Sequence, residues 1–205
     1  MKDSSMIHGL FPTPVSIEKL KKKFTKKEYE FVEKSKINLN KNAGNSTSNE
    51  NYILNKKIFS NLKKELSEKV NNYFYNTLFI SNKVSPYITQ SWLNYTETNQ
   101  YHHQHSHPNS ILSGVLYINA NKENDKIKFF KSETKTIKFS VENYNIWNSE
   151  NWWFPVETGC LFLFPSSLSH MVESKQGTNT RISLSFNTFV KGNLGDKKQL
   201  TELIL

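Results

Sequence analysis

From about Ser85 the sequence runs in short stretches of period two. "YITQSWLNY", "ILSGVLYIN", "KIKFF", "TIKFSV", "CLFLF" and "RISLSFNTFV" are rich in aromatic and β-branched residues, and polar turns separate them. Such strands must bury apolar faces against another layer, so a series of them closes on itself or packs as two sheets. A helical region precedes the series. The pattern therefore predicts a mainly β (α+β) fold, a barrel or two-sheet jelly roll with N-terminal supporting helices. With 205 residues the chain is long enough for one domain with a real core. Residues 1–84 read as helical support, 85–190 as the β core and 191–205 as a tail, either a short helix or a loose end.

In the N-terminal third, Ser16 after Pro14 reads as a helix cap, with Ile17, Leu20 and Phe24 at helical spacing behind it. "INLNKNAGNSTSNEN" reads as an exposed loop. Ile58, Leu62, Leu66, Val70 and Phe74, four apart, form the apolar stripe of a second, longer helix that packs on the sheet.

The single cysteine, Cys160, excludes an internal disulfide framework and a cysteine-based zinc finger. It sits in an apolar strand and reads as core. No apolar run reaches membrane-spanning length, and "MKDSSMIHGLFPTP" lacks the apolar centre of a secretory signal. The expectation is a cytoplasmic protein with no membrane partner. The net charge of +9 admits nucleic acid as a partner. Much of that charge lies in "KLKKKFTKK" and similar stretches, which read as solvated surface. Trp147, Trp152, Trp153 and Phe154 form an aromatic cluster that reads either as a lid or substrate wall, or as packing between sheet and loop.

The histidines carry the chemistry. Four of six fall in "HHQHSH": His102, His103, His105 and His107. On a strand, alternation places His105 and His107 on one face, where both imidazoles reach one ion. His170, after "CLFLFPSSLS", is the candidate third ligand, and three protein ligands leave open positions on a metal. A shifted pair, His103 and His105, keeps the same spacing. Arg181 is the only arginine in the chain. Its planar fork grips a carboxylate through two parallel hydrogen bonds, which a lysine ammonium cannot do. Alternation in "RISLSFNTF" puts Arg181, Ser183, Ser185 and Asn187 on one face, and Ile182, Leu184 and Phe186 on the other. No Ser-His-Asp or Cys-His arrangement stands out.

Together, an H-x-H pair where an H-x-acid pair is usual, a distal His, and Arg-x-Ser about ten residues later resemble the Fe(II)- and 2-oxoglutarate-dependent dioxygenases. "HSHPNSILSGVLYIN" is similar to the stretch that carries two metal ligands in prolyl-hydroxylase-like members. "FPSSLSHMV" resembles a bacterial and phage branch of that superfamily. The resemblance covers roughly Ser91 to Phe189. It implies a double-stranded β-helix (cupin-like jelly roll), with Fe(II) on His105, His107 and His170. It also implies that 2-oxoglutarate is held by Arg181 and Ser183 and hydrogen-bonded by Tyr117 and Tyr95. The activity implied is hydroxylation of a C–H bond in a small-molecule or protein substrate, with release of succinate and CO2. His107 stands where the family has its carboxylate. Glu97 and Glu173 are the nearest spare acids in sequence, and neither is at the matching position. Two other readings stay open: a three-His cupin (an isomerase or a 2-oxoglutarate-independent dioxygenase), and a non-catalytic jelly-roll binding module.

Overall fold

The structure is a computed structural model that describes residues 6–21, 23–132, 137 and 139–205. In chain order its elements are β1 (Ser16–Lys19), α1 (Lys26–Ser35), β2 (Leu39–Lys41), β3 (Ser46–Ser48), α2 (Ser60–Asn72), β4 (Val84–Thr96) and β5 (His102–His105). They continue with β6 (Leu112–Asn119), β7 (Lys126–Phe130), β8 (Asn151–Pro155), β9 (Cys160–Pro165), β10 (His170–Val172), β11 (Arg181–Leu194) and β12 (Leu203–Ile204). One sheet runs β1-β9-β6-β11-β4-β3-β2, with β12 added to β11; the other runs β5-β10-β7-β8. The fold is a double-stranded β-helix.

The period-two stretches become strands because their alternation serves two separate cores. On the large sheet, Leu112, Leu116 and Ile118 of β6 and Ile182, Leu184 and Phe186 of β11 face the helices. There they meet Leu62, Leu66 and Val70 of α2, so the stripe of the second helix packs as its spacing predicts. Ile58 of that stripe is an exception: it lies in a 3-10 turn ahead of α2 and is 39% exposed. The opposite faces supply a second cluster between the sheets, with Val115, Tyr117, Ile127, Phe129, Cys160, Phe162 and Phe164. Fully burying one such phenylalanine is worth about 1.5–3 kcal/mol. Cys160 belongs to this cluster, and burial pushes its thiol pKa up, as befits a core residue.

The N-terminal third departs from the sequence reading in three places. Ser16 does not cap a helix. Residues Ser16–Lys19 pair antiparallel with β9, because the edge of the large sheet offers backbone partners that outweigh a weak helical periodicity. The first helix starts at Lys26 behind Thr25, in a reciprocal capping box: the Glu28 amide donates to Thr25 Oγ1 at 3.2 Å, and the Thr25 amide to Glu28 Oε2 at 2.6 Å. The polar stretch expected as a loop forms the hairpin β2–β3, which extends the large sheet beyond β4. Its turn holds Gly44 at φ +92°, where a Cβ would lie 2.7 Å from the Tyr101 carbonyl oxygen. In the tail, Leu203 and Ile204 pair with β11 instead of forming a helix or a loose end. "TIKFSV" falls partly outside the described residues.

Gly114 lies beside Phe186 across β6 and β11, and a Cβ there would stand 2.1 Å from the ring. Phe186 is completely buried, so the ring has nowhere to go. Gly114→Ala is expected to destabilise the fold by about 1–3 kcal/mol. Adding Phe186→Leu should return part of that loss, as read by urea unfolding.

Candidate metal centre

The small sheet builds the centre. Antiparallel pairing of β10 with β5 sets His170 directly opposite His105, and pairing with β7 sets it beside Phe129. His107 lies just past the end of β5, held where its amide donates to the Ser166 carbonyl at 2.9 Å. The rings converge. Centroids are 4.4 Å apart for His105–His170, 4.9 Å for His105–His107 and 5.1 Å for His107–His170. Nε2 of His107 faces Nε2 of His170 at 3.4 Å. Two ligands at about 2.1 Å from a tetrahedral ion stand about 3.4 Å apart.

Carbonyls orient the rings. Nδ1 of His105 lies 2.7 Å from the His103 carbonyl, and Nδ1 of His170 lies 3.1 Å from that of Leu168. A carbonyl only accepts, so Nδ1 carries the hydrogen and Nε2 presents its lone pair to the centre. Burial pushes the imidazole pKa values down: His107 to about 4, His102 to about 3, His105 downward, and His170 well below the ordinary range. The rings are thus neutral and able to ligate at neutral pH. Phe164, 4.7 Å from His170 between ring centroids, walls the buried side.

Behind the histidines, β11 contributes Arg181, Ser183 and Ser185 to a small cavity of about 20 Å³ that His105, His107, His170 and Tyr117 also line. Ser183 sits in a row across the large sheet, between Asn94 of β4 and Tyr117 of β6. Asn94 Nδ2 donates to Ser183 Oγ at 3.3 Å and to Ser185 Oγ at 2.9 Å, which leaves both hydroxyl hydrogens to point elsewhere. Arg181 Nη1 donates to Asp125 Oδ1 at 3.1 Å; Arg181 Nη2 is buried without a partner, and so is the Tyr117 hydroxyl. Lys175 Nζ stands 3.6 Å from the same Asp125 oxygen, with both residues fully buried. Its ammonium also donates to the Gln176 carbonyl and to Asn179 Oδ1. Two buried cations thus share one carboxylate, and two donors remain unsatisfied at the cavity, an arrangement that is costly without an anionic acceptor.

The structure brings together His105, His107, His170, Arg181, Ser183 and Tyr117. It does not bring Tyr95. That side chain points to the opposite face of β4, into the helix-side core, where its hydroxyl donates to the Val32 carbonyl at 2.7 Å. Asn94 and Thr96, its neighbours, face the cavity instead. Glu97 is exposed and accepts from Thr180, and Glu173 pairs with Lys128 at 2.5 Å, so neither acid reaches the centre. Sequence reading missed Asp125 and Asn94: a lone Asp in the polar stretch "NANKENDK" gives no sign of burial.

A broad groove of about 870 Å³ opens onto the histidines, lined among others by Lys41, Asn42, Gln90, Trp92 and Asn109. Trp152 and Trp153 do not line it. They lie on β8 beside a separate hollow of about 670 Å³ with Phe139 and Tyr144, while Phe154 packs into the inter-sheet cluster. No helix among the described residues is long and apolar enough to cross a membrane.

Comparison with known proteins agrees with this geometry. Residues 90–187 match the model of the family described as "Putative 2OG-Fe(II) oxygenase". The matched stretch is just under half of the chain. It runs from β4 through the histidines to β11, and so includes both ends of the site. The fold also resembles solved 2OG-Fe(II) oxygenase structures. A prolyl-4-hydroxylase from Pseudomonas putida is 14% identical (TM-score 0.54), with 86% of this chain and 92% of that one covered. HygX from Streptomyces hygroscopicus, solved with nickel, 2-oxoglutarate and hygromycin B, is 10% identical (TM-score 0.56), covering 86% and 82%. The α-ketoglutarate-dependent carbocyclase SnoK of nogalamycin biosynthesis is 10% identical (TM-score 0.58), covering 91% and 84%. No curated protein matches the sequence.

The depressed pKa values carry a sign. In the unfolded chain each imidazole takes its proton near pH 6.5. In the folded chain His107 resists protonation until about pH 4 and His102 until about pH 3. The unfolded state therefore binds more protons between those limits, and stability is lost as the pH falls below about 6.5. The metal-free protein should show a thermal midpoint that drops between pH 7 and pH 4.5. Replacing His102 and His107 with Gln should flatten that drop.

Proposed function

We propose that the protein is an Fe(II)- and 2-oxoglutarate-dependent oxygenase that hydroxylates a C–H bond of its substrate. The observation that carries this reading is the pair of unpartnered buried donors, Arg181 Nη2 and the Tyr117 hydroxyl, at the far side of a cavity whose near side is three convergent imidazoles. A metal at one end and a carboxylate receptor at the other suit a short 2-oxo diacid.

Charge supports the same assignment. Three neutral imidazoles bring no negative charge to a divalent ion, and Arg181 and Lys175 outnumber Asp125 behind it. A dianionic cosubstrate bridging the two ends offsets that excess, a role the family's carboxylate ligand would otherwise share. Imidazole ligands suit iron among the first-row metals. Iron with 2-oxoglutarate and O2 would supply oxidative decarboxylation to succinate and CO2, with one atom of O2 going to succinate and the other to a C–H bond.

The chain's own residues do the rest. Asp125 holds Nη1 and so aims Nη2 of Arg181 into the cavity. Ser183, anchored by Asn94, and Tyr117 donate to the same carboxylate. Phe129 and Phe164 keep water from the buried side of His170. The cavity of about 20 Å³ holds about one water. Entry of 2-oxoglutarate therefore requires Trp92 and His102, which border both cavity and groove, to give way. The substrate enters by the groove. Its wall of carboxamides and aromatic rings, with Lys41 as the one lysine among the described residues that line it, suits a neutral polar molecule or peptide better than a nucleic-acid backbone. The reducing cytoplasm suits the lone buried Cys160. The all-histidine ligand set also fits a cupin that works without 2-oxoglutarate, and succinate decides between the two readings.

With Fe(II) and O2 the protein should convert 2-oxoglutarate to succinate, slowly without substrate, and His170→Ala should abolish the conversion. Arg181→Lys should raise the Kd for 2-oxoglutarate about tenfold or more, measured by calorimetry on the nickel-loaded protein without oxygen, because a fork replaced by a point charge loses a bond. Unchanged affinity, or no succinate at all, would remove the assignment.

A further inference from the structure

We infer that His102, His103 and His105 form a second metal station at the floor of the groove, sharing His105 with the buried triad, so that one divalent first-row ion occupies either station and crosses between them on that residue.

The backbone makes this station. His170 pairs with His105 and Val172 with His102, so β5 advances three residues while β10 advances two. The extra residue is a bulge, and bulges re-aim side chains. In a regular strand His102 and His103 would point to opposite faces. Here their ring centroids are 5.4 Å apart, and they lie 4.5 Å and 4.9 Å from that of His105. One ligand nitrogen from each comes within 4.8 Å of the others, as in the inner trio.

Lone pairs are available at each ring. Nδ1 of His103 faces the Ala43 carbonyl at 3.4 Å, which leaves Nε2 free. Nε2 of His102 faces the Asn42 amide nitrogen at 3.4 Å; an amide NH2 only donates, so this nitrogen carries a lone pair, in a weak contact that an ion would replace. All three rings line the open groove, as His107 does, whereas His170 lines only the inner cavity, so the outer trio alone is complete at the groove. An ion arriving from solvent thus meets the outer trio first.

The stations exclude one another. Nδ1 of His105 is engaged by the His103 carbonyl at 2.7 Å, so His105 has one nitrogen, Nε2, to give. The inference requires that the inner trio bind metal, and does not require the oxygenase reaction.

The test is titration of cobalt(II) alone into metal-free protein, followed by equilibrium dialysis and visible absorption, with circular dichroism to verify folding. Wild type should bind one ion per chain. His170→Ala and His103→Ala should each still bind one ion, with His170→Ala at least about tenfold weaker and a changed cobalt spectrum. His105→Ala, and the double variant His103→Ala with His170→Ala, should lose binding. Two ions bound at once by wild type would overturn the sharing of His105. A folded His170→Ala protein that binds no cobalt would overturn the outer station, as would a double variant that binds as tightly as His170→Ala alone. Absence of succinate formation with normal cobalt binding would sink the oxygenase reading and leave this one standing.

Discussion

The pairing of a three-residue strand, β10, between β5 and β7 governs what this protein can do. It fixes His170 opposite His105 and beside Phe129, so one imidazole is locked by backbone hydrogen bonds on both sides and by aromatic rings on its buried face. His105 and His107 need only approach a fixed point. A metal centre held by sheet registry is more precise than one held by loops, and the supporting carbonyls of His103 and Leu168 set which nitrogen faces inward.

The space between the two sheets is divided by chemistry. One part is an apolar cluster dominated by Phe129, Phe162 and Phe164; the adjoining part holds the histidines and the Asp125–Arg181–Lys175 group. β11 serves both cores, with Ile182, Leu184 and Phe186 toward the helices and Arg181, Ser183 and Ser185 toward the site. A single strict alternation thus ties the stability of the fold to the placement of Arg181, Ser183 and Ser185 at the cavity. Shifting β11 by one residue would bury the arginine among leucines and expose three apolar side chains to the cavity.

Much of this was legible in the sequence because period-two patterning is a local signal. Strands β4, β6, β7, β9 and β11, the stripe of Leu62, Leu66 and Val70, and the two faces of "RISLSFNTF" follow from it directly, whereas β8 and β10 carry no such pattern. The elements that escaped depend on distant partners. β1 exists because β9 has a free edge, and the hairpin β2–β3 because β4 does; nothing in "SIEK" or "LNK" announces that. Tyr95 sat at a suggestive distance from His105, yet its place in β4 puts it on the wrong face. Strict alternation also failed at β5, where one inserted residue turns His102 and His103 toward the same neighbour. Asp125 was invisible because its burial comes from Lys175 and Arg181, at least fifty residues further on.

β11 occupies the middle of the large sheet, flanked by β4 and β6, and it begins at residue 181. During synthesis, therefore, neither flanking strand has this partner until residues from Arg181 onward have been made, well after β4 and β6 themselves. Long-range pairing of this kind is slow. His102, His103, His105 and His107 are made more than seventy residues before Arg181, and His170 only eleven before it, so the four clustered imidazoles wait longest for the wall that the guanidinium completes.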